Sequence, residues 1–566
     1  MNIDEKQFSV PARSVKSKFL SIPLSLRVSL VLCALVVGLF RADAATWYVS
    51  TSGSDSADGT YWPTAKLTIQ AAVNASVNGD TVLVTNGVYT LTGVSLGILK
   101  AITLMSVNGA SATTIDAQQL GRCVTIDGYA ATVNGFTLKN GKRTVGGGVY
   151  CNGGTILNCV LTNNQAVGTD LTDGAGGGAY LAYGTMSNCV FYGNSSVNTN
   201  AAGAAWAGAV YNYGGVLVSC VISNNQCTAE YGNGGGVVLV GGELRQSQIL
   251  GNATVSLSYA SGGGIYATFL QLSVPSLIES CVVLSNTVTT TDTYQFTAAL
   301  ASGGGLYVGN NTTVRSTLVK GNTARAYAGF TSGGGIRTSS STVENCTIAF
   351  NDVASYYGHL GAGGGWDPIV LNDLGAGGGV IWGYNDLCFN NIIKFNSANN
   401  DPDNSDVNSL SYPTFINSDL GPWVGVNPPV ITRINCLNVD PLFVNAAAND
   451  FQLRSDSPCR DAGTNRAWAA SAKDLNGNNR LFGNNVDMGA YEYGGINSPH
   501  LALTLMASQL LLTWPVADAG FTLESTPDLL VPPVWSTVSP APIAVDGHYT
   551  VTNPVAGPRK FYRLRQ

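Results

Sequence analysis

The chain has 566 residues, too many for one ordinary globular core and enough for a repeat array with small flanking modules. Only 11% of residues are charged, yet 45% are hydrophobic and 68 are glycine. That excludes a disordered linker and fits many short strands joined by Gly/Asn turns. The formal net charge is −6, and −9 without the first 44 residues, which argues against nucleic acid or an anionic membrane surface as partner.

Residues 1–44 predict a signal peptide. Arg13, Lys16, Lys18 and Arg27 form a basic region, Val28 to Phe40 an apolar run, and Ala42-Asp43-Ala44 a small-x-small cleavage site. The run is short for a membrane span, so no transmembrane segment is expected after cleavage. Eleven of the twelve cysteines remain, in an exported setting where disulfides can form. Residues 45–90 predict an N-terminal cap and first coil. Within them Lys66 to Val77 suits a short amphipathic helix covering the first open edge of a solenoid.

Residues 91–434 carry an internal repeat. Glycine starts recur as GGGVY at 146, GGGAY at 176, AGAVY at 207, GGGVV at 234, GGGIY at 262, GGGLY at 303 and GGGIR at 333, with looser copies at 363 and 377. A short apolar strand follows most starts and ends on asparagine: Asn164, Asn194, Asn225, Asn252, Asn286, Asn322, Asn351 and Asn396. Strand, bend, strand and glycine turn, repeated at about thirty residues, describe the coil of a parallel β-helix solenoid. Stacked coils place equivalent residues roughly 4.8 Å apart. The asparagine column then forms a side-chain amide ladder, structural rather than catalytic.

Other columns align on that asparagine. Five positions upstream stand Cys159, Cys189, Cys220, Ser247, Cys281, Thr317, Cys346 and Asn391. Three upstream stand Leu161, Phe191, Ile222, Ile249, Val283, Val319, Ile348 and Ile393. Both should point inward. The cysteines read as buried thiols, or as disulfides between adjacent coils; Ser, Thr and Asn in the same column favour thiols. Six upstream every residue is Asn, Ser or Gln, which suits a bend. Seven upstream Arg245, Glu279, Arg315 and Glu344 alternate in sign. That predicts an outward ion-pair stack rather than the like-charge cluster of a catalytic site.

The loops between each asparagine and the next glycines carry Trp206, Tyr231, Tyr259, Tyr294, Phe296, Tyr327, Phe330, Tyr356 and Tyr357. Stacked along one edge, such rings could bind sugar faces; the competing reading is that they cover glycine-rich backbone. Asp401, Asp403 and Asp406 lie in the densest acidic run and are the weak calcium candidates, although Pro and Asn there suit a solvated loop. Asp367, Asp373 and Asp386 are the best carboxylates for a hidden hydrolytic site. His359, His500 and His548 are scattered and form no metal-ligand pattern.

Several stretches resemble known families. The segment WYVSTSGSDSADGTYWPTAKLTIQAAVNASVNGDTVLVTNGVYT resembles the N-terminal cap of pectin-lyase-like right-handed β-helix proteins, and VNGFTLKNGKRTVGGGVYCNGG the start of their main coils. The repeat itself resembles that of bacterial polymorphic outer membrane proteins. Residues 435–493, with NCLNVDPLFVNAAANDFQLRSDSPCRDAG and DLNGNNRLFGNNVDMGAYEY, resemble a choice-of-anchor domain, which closes exported β-helices. Cys436 and Cys459 bracket the first of these stretches, lie outside the cysteine column and are expected to form a disulfide. DLNGNNR also resembles a calcium loop, but its Asn-Gly core reads as a plain turn. Residues 494–566 begin with a GGINSPH linker and resemble small C-terminal β-modules of bacterial surface proteins.

The expected fold is therefore all-β: a right-handed parallel β-helix with a helical cap and a small β-sandwich-like C-terminal module for sorting or attachment. The expected function is that of a monomeric, exported protein of the outer membrane, cell surface or medium. It would act without a cofactor in adhesion or carbohydrate binding, with a polysaccharide or surface glycan as partner. The alternative is a polysaccharide lyase or glycoside hydrolase of the pectin-lyase-like class, which the resemblance implies would use clustered carboxylates, with calcium possible.

Overall fold

A computed structural model describes residues 44–565 apart from several short stretches, the longest being 358–379, 422–431 and 399–406. The signal-peptide segment lies outside the described residues except for Ala44. No helix among the described residues is long and apolar enough to cross a membrane.

Each repeat folds as one coil of four short strands, and like strands of successive coils pair in parallel. The coil that begins at Gly146 shows the plan. Its strands are Val149–Asn152, Thr155–Leu157, Val160–Thr162 and Gln165–Val167, and each pairs with its equivalent in the next coil. Repetition builds parallel sheets of 11, 14, 12 and 13 strands wrapped around one continuous core. The result is a right-handed parallel β-helix, the hand that right-twisted strands favour in parallel crossovers. The first rung is Thr46–Val49, and rungs continue to Leu437, which bridges Asp419.

Left-handed backbone at the bends of each coil explains two of the columns. The position six before the ladder asparagine has positive φ in every repeat, from Asn158 at 51° to Asn390 at 57°. Asn, Ser and Gln tolerate that conformation when their side chains bond locally. The residue directly before the ladder asparagine, such as Asn163, Gly193 or Gly251, is left-handed too. Glycines also permit close approach: a Cβ on Gly147 would meet the carbonyl oxygens of Gln165 and Gly177 at 2.3 and 2.5 Å.

The ladder forms as expected. Each amide Nδ2 donates to the Oδ1 of the next rung at 2.9–3.0 Å, from Asn164 through to Asn396. Each backbone N–H donates to the same oxygen, and each Nδ2 also reaches a carbonyl of the preceding coil, such as Leu138 O for Asn164. All eight asparagines are buried. Burial with every polar atom paired is what makes the column stabilising rather than costly.

The cysteine column is a second set of turn bonds. The thiols of Cys159, Cys189, Cys220, Cys281 and Cys346 each donate to the carbonyl two residues earlier at 3.1–3.4 Å. Ser247 and Thr317 make the same bond through hydroxyls at 2.7 and 2.9 Å, which explains why they alternate with cysteine. Burial pushes the Cys281 and Cys346 thiols up to about 12. All eleven described cysteines are free.

The expected Cys436–Cys459 disulfide is therefore corrected. Cys436 is the last member of the turn column, following the left-handed Asn435, and bonds Ile434 O at 3.6 Å. Cys459 is buried elsewhere, with its thiol 3.7 Å from the Asp419 carboxylate.

At the N-terminus the helix runs over Ile69–Ala75, shorter than expected, because the Thr68 hydroxyl caps it by accepting from Ala71 N. Ile69, Ala72 and Val73 face the first coils. Residues 443–493 make contacts with the last coils along their outer flank, where Asn345 donates to Asp487 O, Asn390 exchanges bonds with Thr464, and Ala490 N donates to the Thr347 hydroxyl. The DLNGNNR stretch is a turn, its Asp474 accepting from Asn476 and Asn478 N–H groups. The C-terminal module has a four-stranded and a three-stranded antiparallel sheet around Leu512, Trp514, Leu523, Val538 and Val551.

Candidate functional site

The outer edge of the coils is where side chains escape the period. Two strands there are unusually long, Gln226–Asn233 and Ala253–Ser261. Their register shifts between Ala229 and Tyr231. Such a bulge re-aims side chains, and here consecutive residues Glu230 and Tyr231, and Leu257, Ser258 and Tyr259, all leave the buried face.

The bulge brings Tyr231 opposite Tyr259. Their rings stack with centroids 5.6 Å apart and planes at 15°, and they stay 37% and 40% exposed. Ala204 is the register neighbour on the far side of Tyr231, too small to cover that ring's other face. Glu230 lies beside the pair and accepts a hydrogen bond from the Ser258 hydroxyl of the adjacent coil. Leu257 is 50% exposed. The arrangement offers an aromatic face, an acceptor carboxylate and an apolar neighbour within two coils, the chemistry that suits a sugar ring.

The remaining members of the expected aromatic stripe do not join this pair as one line. Trp206 is a correction: it registers with Asn233, two residues beyond Tyr231. Its indole N–H donates to Asp173 at 3.1 Å, and its ring sits edge-on to Tyr266. Tyr327 is exposed but precedes the bulge position, since its neighbour Ala326 pairs with Thr290 and Thr290 with Ser256. By backbone register Phe330 continues the Tyr231–Tyr259 line through Leu300. Tyr356 and Tyr357 end the strand Asp352–Tyr357. Tyr294 and Phe296 lie outside the described residues.

A different aromatic column runs along more coils, with one break, and loop position alone gave no sign of it. Tyr150, Tyr180 and Tyr211 stack outside the 11-stranded sheet at 5.5 and 5.1 Å with planes 6° apart. Val238 interrupts, and Tyr266 and Tyr307 resume at 4.9 Å. Arg122 lies over Tyr150 at one end. These rings cover one another and are half-buried, and burial pushes Tyr266 up to about 12. The signal was the final residue of each glycine start, GGGVY through GGGLY, which the strand alternation turns outward.

The carboxylate candidates divide. Asp386 is buried and accepts from Thr338 Oγ1 at 2.9 Å, Ser341 N at 2.8 Å and Ser341 Oγ at 3.0 Å, a bonding pattern that pins a turn. Asp367 and Asp373, and the calcium candidates Asp401, Asp403 and Asp406, lie outside the described residues. Among the described residues no three His, Cys, Asp or Glu side chains could hold a metal ion. The alternating column is an ion-pair stack: Glu279 pairs with Arg245 and, at 2.6 Å, with Arg315. Its last member is not outward in the expected sense. Glu344 is covered by residues 443–493, pairs with Arg466 at 3.2 Å, and leaves Arg315 over the Trp468 ring.

No family model and no curated protein matches the chain. Among solved structures, "pectate lyase Pel9A" shares 14% identity over 80% of this chain and 97% of its own, with a TM-score of 0.37. "The complex structure of XylC with xylose" shares 10% over 90% and 100%, TM-score 0.34. "Rhamnogalacturonan lyase" shares 16% over 71% and 91%, TM-score 0.27. At these scores the likeness carries no chemistry to this chain.

Proposed function

We propose that the protein is an exported, non-catalytic β-helix scaffold that binds polysaccharide at its bulged edge, serving adhesion or glycan contact at the cell surface. The observation that carries this reading is the exposed Tyr231–Tyr259 stack with Glu230 beside it. The basic, apolar and small-residue pattern of residues 1–44 supports export. Residues 435–493 and 494–566 then serve surface retention, in keeping with the choice-of-anchor and C-terminal-module resemblances. The contacts at the edge would come from rings, hydroxyls and one carboxylate.

Glycan-array screening of residues 45–566 tests the reading. The chain should bind a discrete set of polysaccharides, and the Tyr231→Ala/Tyr259→Ala variant should lose them. Binding that survives in the variant would place the contact elsewhere. Release of unsaturated or reducing-end products from acidic polysaccharides, with or without Ca²⁺, would replace the reading with that of a lyase or hydrolase.

A further inference from the structure

Near the end of the β-helix a lysine touches both an asparagine and an acid, and none of them belongs to the edge site. Lys394 ends the strand Ile392–Lys394. Ile393 fills the core, so Ile392 and Lys394 point outward, yet residues 443–493 cover that face and leave the Lys394 side chain only 8% exposed. The next coil brings Asp419 opposite Ile392, on the same outward face, with its side chain fully buried. Lys394 Nζ lies 3.2 Å from Asp419 Oδ1 and donates to Asn438 Oδ1 at 2.9 Å. Asn438 is the residue after Leu437, the last rung of the helix.

We propose that Lys394 and Asn438 join in an isopeptide bond that ties the end of the β-helix to the coil before it. Lys394 Nζ attacks Asn438 Cγ, the carbon bonded to the oxygen that Nζ already touches. A new Cγ–Nζ amide bond forms, the Cγ–Nδ2 bond breaks, and Nδ2 leaves as ammonia with the proton given up by the lysine amine. No oxidant, metal or nucleotide is consumed.

Asp419 is the positioning and proton-carrying group. Attack needs an amine that can give up a proton, and Asp419, in contact with Nζ, is the group placed to take it. Burial raises the Asp419 carboxyl above its ordinary range, with Lys394 opposing, which suits it to accept that proton. Asp419 is further held by Val439 N at 3.1 Å and by the Cys459 thiol at 3.7 Å. Fixing the groups within contact replaces the random encounter that makes aminolysis of an amide slow in water. Asn438 is exposed, which gives ammonia a path out.

Intact-mass measurement of the denatured, reduced chain, followed by peptide mapping, decides the matter. The expected result is a mass lower than calculated by one ammonia, with Lys394 refractory to trypsin and its peptide branched onto the one containing Asn438. Lys394→Arg, which keeps the charge, and Asp419→Asn should both restore the full mass. A wild-type chain at its calculated mass would overturn the proposal. So would ammonia loss at Asn438 without the Lys394 branch, since ring closure onto the following backbone amide gives the same mass.

Discussion

The interior ladder and the bulged edge are built from the same repeats but answer to different rules. In the interior, eight asparagines occupy one column without exception, because each must receive and pass on a bond in a place water cannot reach. At the edge, aromatic residues occur in loop after loop, and the Tyr231–Tyr259 stack forms where the bulge sets the two rings opposite each other. Stacking dictates where an interior residue lands. At the edge, loop length and the bulge dictate it. Position fixed by necessity therefore marks scaffold, and position tuned by an irregularity marks the surface free to take on function.

This contrast can be broken by substitution, most severely at the ladder. Asn286→Ala removes the acceptor of Asn252 N and Nδ2 and the donor to Ile249 O and Asn322 Oδ1. Leaving these groups unpaired should cost about 3 kcal/mol or more. Urea unfolding followed by circular dichroism would check it, and a change under about 1 kcal/mol would mean the ladder is dispensable.

The flank segment should respond to pH. Burial raises Glu492 from its ordinary 4.5 to about 8, with Arg480 opposing and Asp487 adding to the rise. The folded segment thus holds a proton that the unfolded chain releases. Its stability is full below about pH 4.5 and falls as pH rises towards 8. Hydrogen exchange of residues 443–493 should accelerate over that window, and Glu492→Gln should flatten the dependence.

The cysteine column should tolerate one replacement and not another. Cys281→Ser keeps the bond to Glu279 O and should shift stability little, whereas Cys281→Ala loses it and leaves a void, costing about 1–2 kcal/mol. Thiol titration on the unreduced chain should find the buried thiols silent when native and reactive once denatured. The smallest effect is expected on the ion-pair stack, which keeps contact with solvent through Arg245. Glu279→Gln should cost up to about 1 kcal/mol, shrinking as salt is added.

Most of the coil was readable because its columns are periodic and obey bonding rules visible in residue type. Asn at the ladder, Asn/Ser/Gln at the left-handed bend and Cys/Ser/Thr at the turn bond each come from one geometry repeated. What was not readable depended on contacts between distant segments or on irregular register. Cys436 looked like a disulfide partner because only the last coil's pairing shows it to be a column member. Glu344 looked exposed because its cover arrives from Arg466. Trp206 looked like part of the edge stripe because loop position alone does not show the two-residue offset from Tyr231. Glu230 gave no signal, since a bulge turns it outward beside a neighbour that already points there. The Tyr150–Tyr307 stack was legible in the glycine starts themselves, once their fifth position is read as a column.

The division between scaffold and edge is tested most directly by affinity electrophoresis in gels containing the bound polysaccharide. Three chains are run: the unaltered protein, Tyr231→Ala/Tyr259→Ala, and Asn286→Ala. The account predicts that the tyrosine variant loses retardation while keeping its thermal midpoint, and that the asparagine variant loses midpoint while the fraction still folded is retarded as before. Equal retardation of the tyrosine variant and the unaltered protein would contradict it.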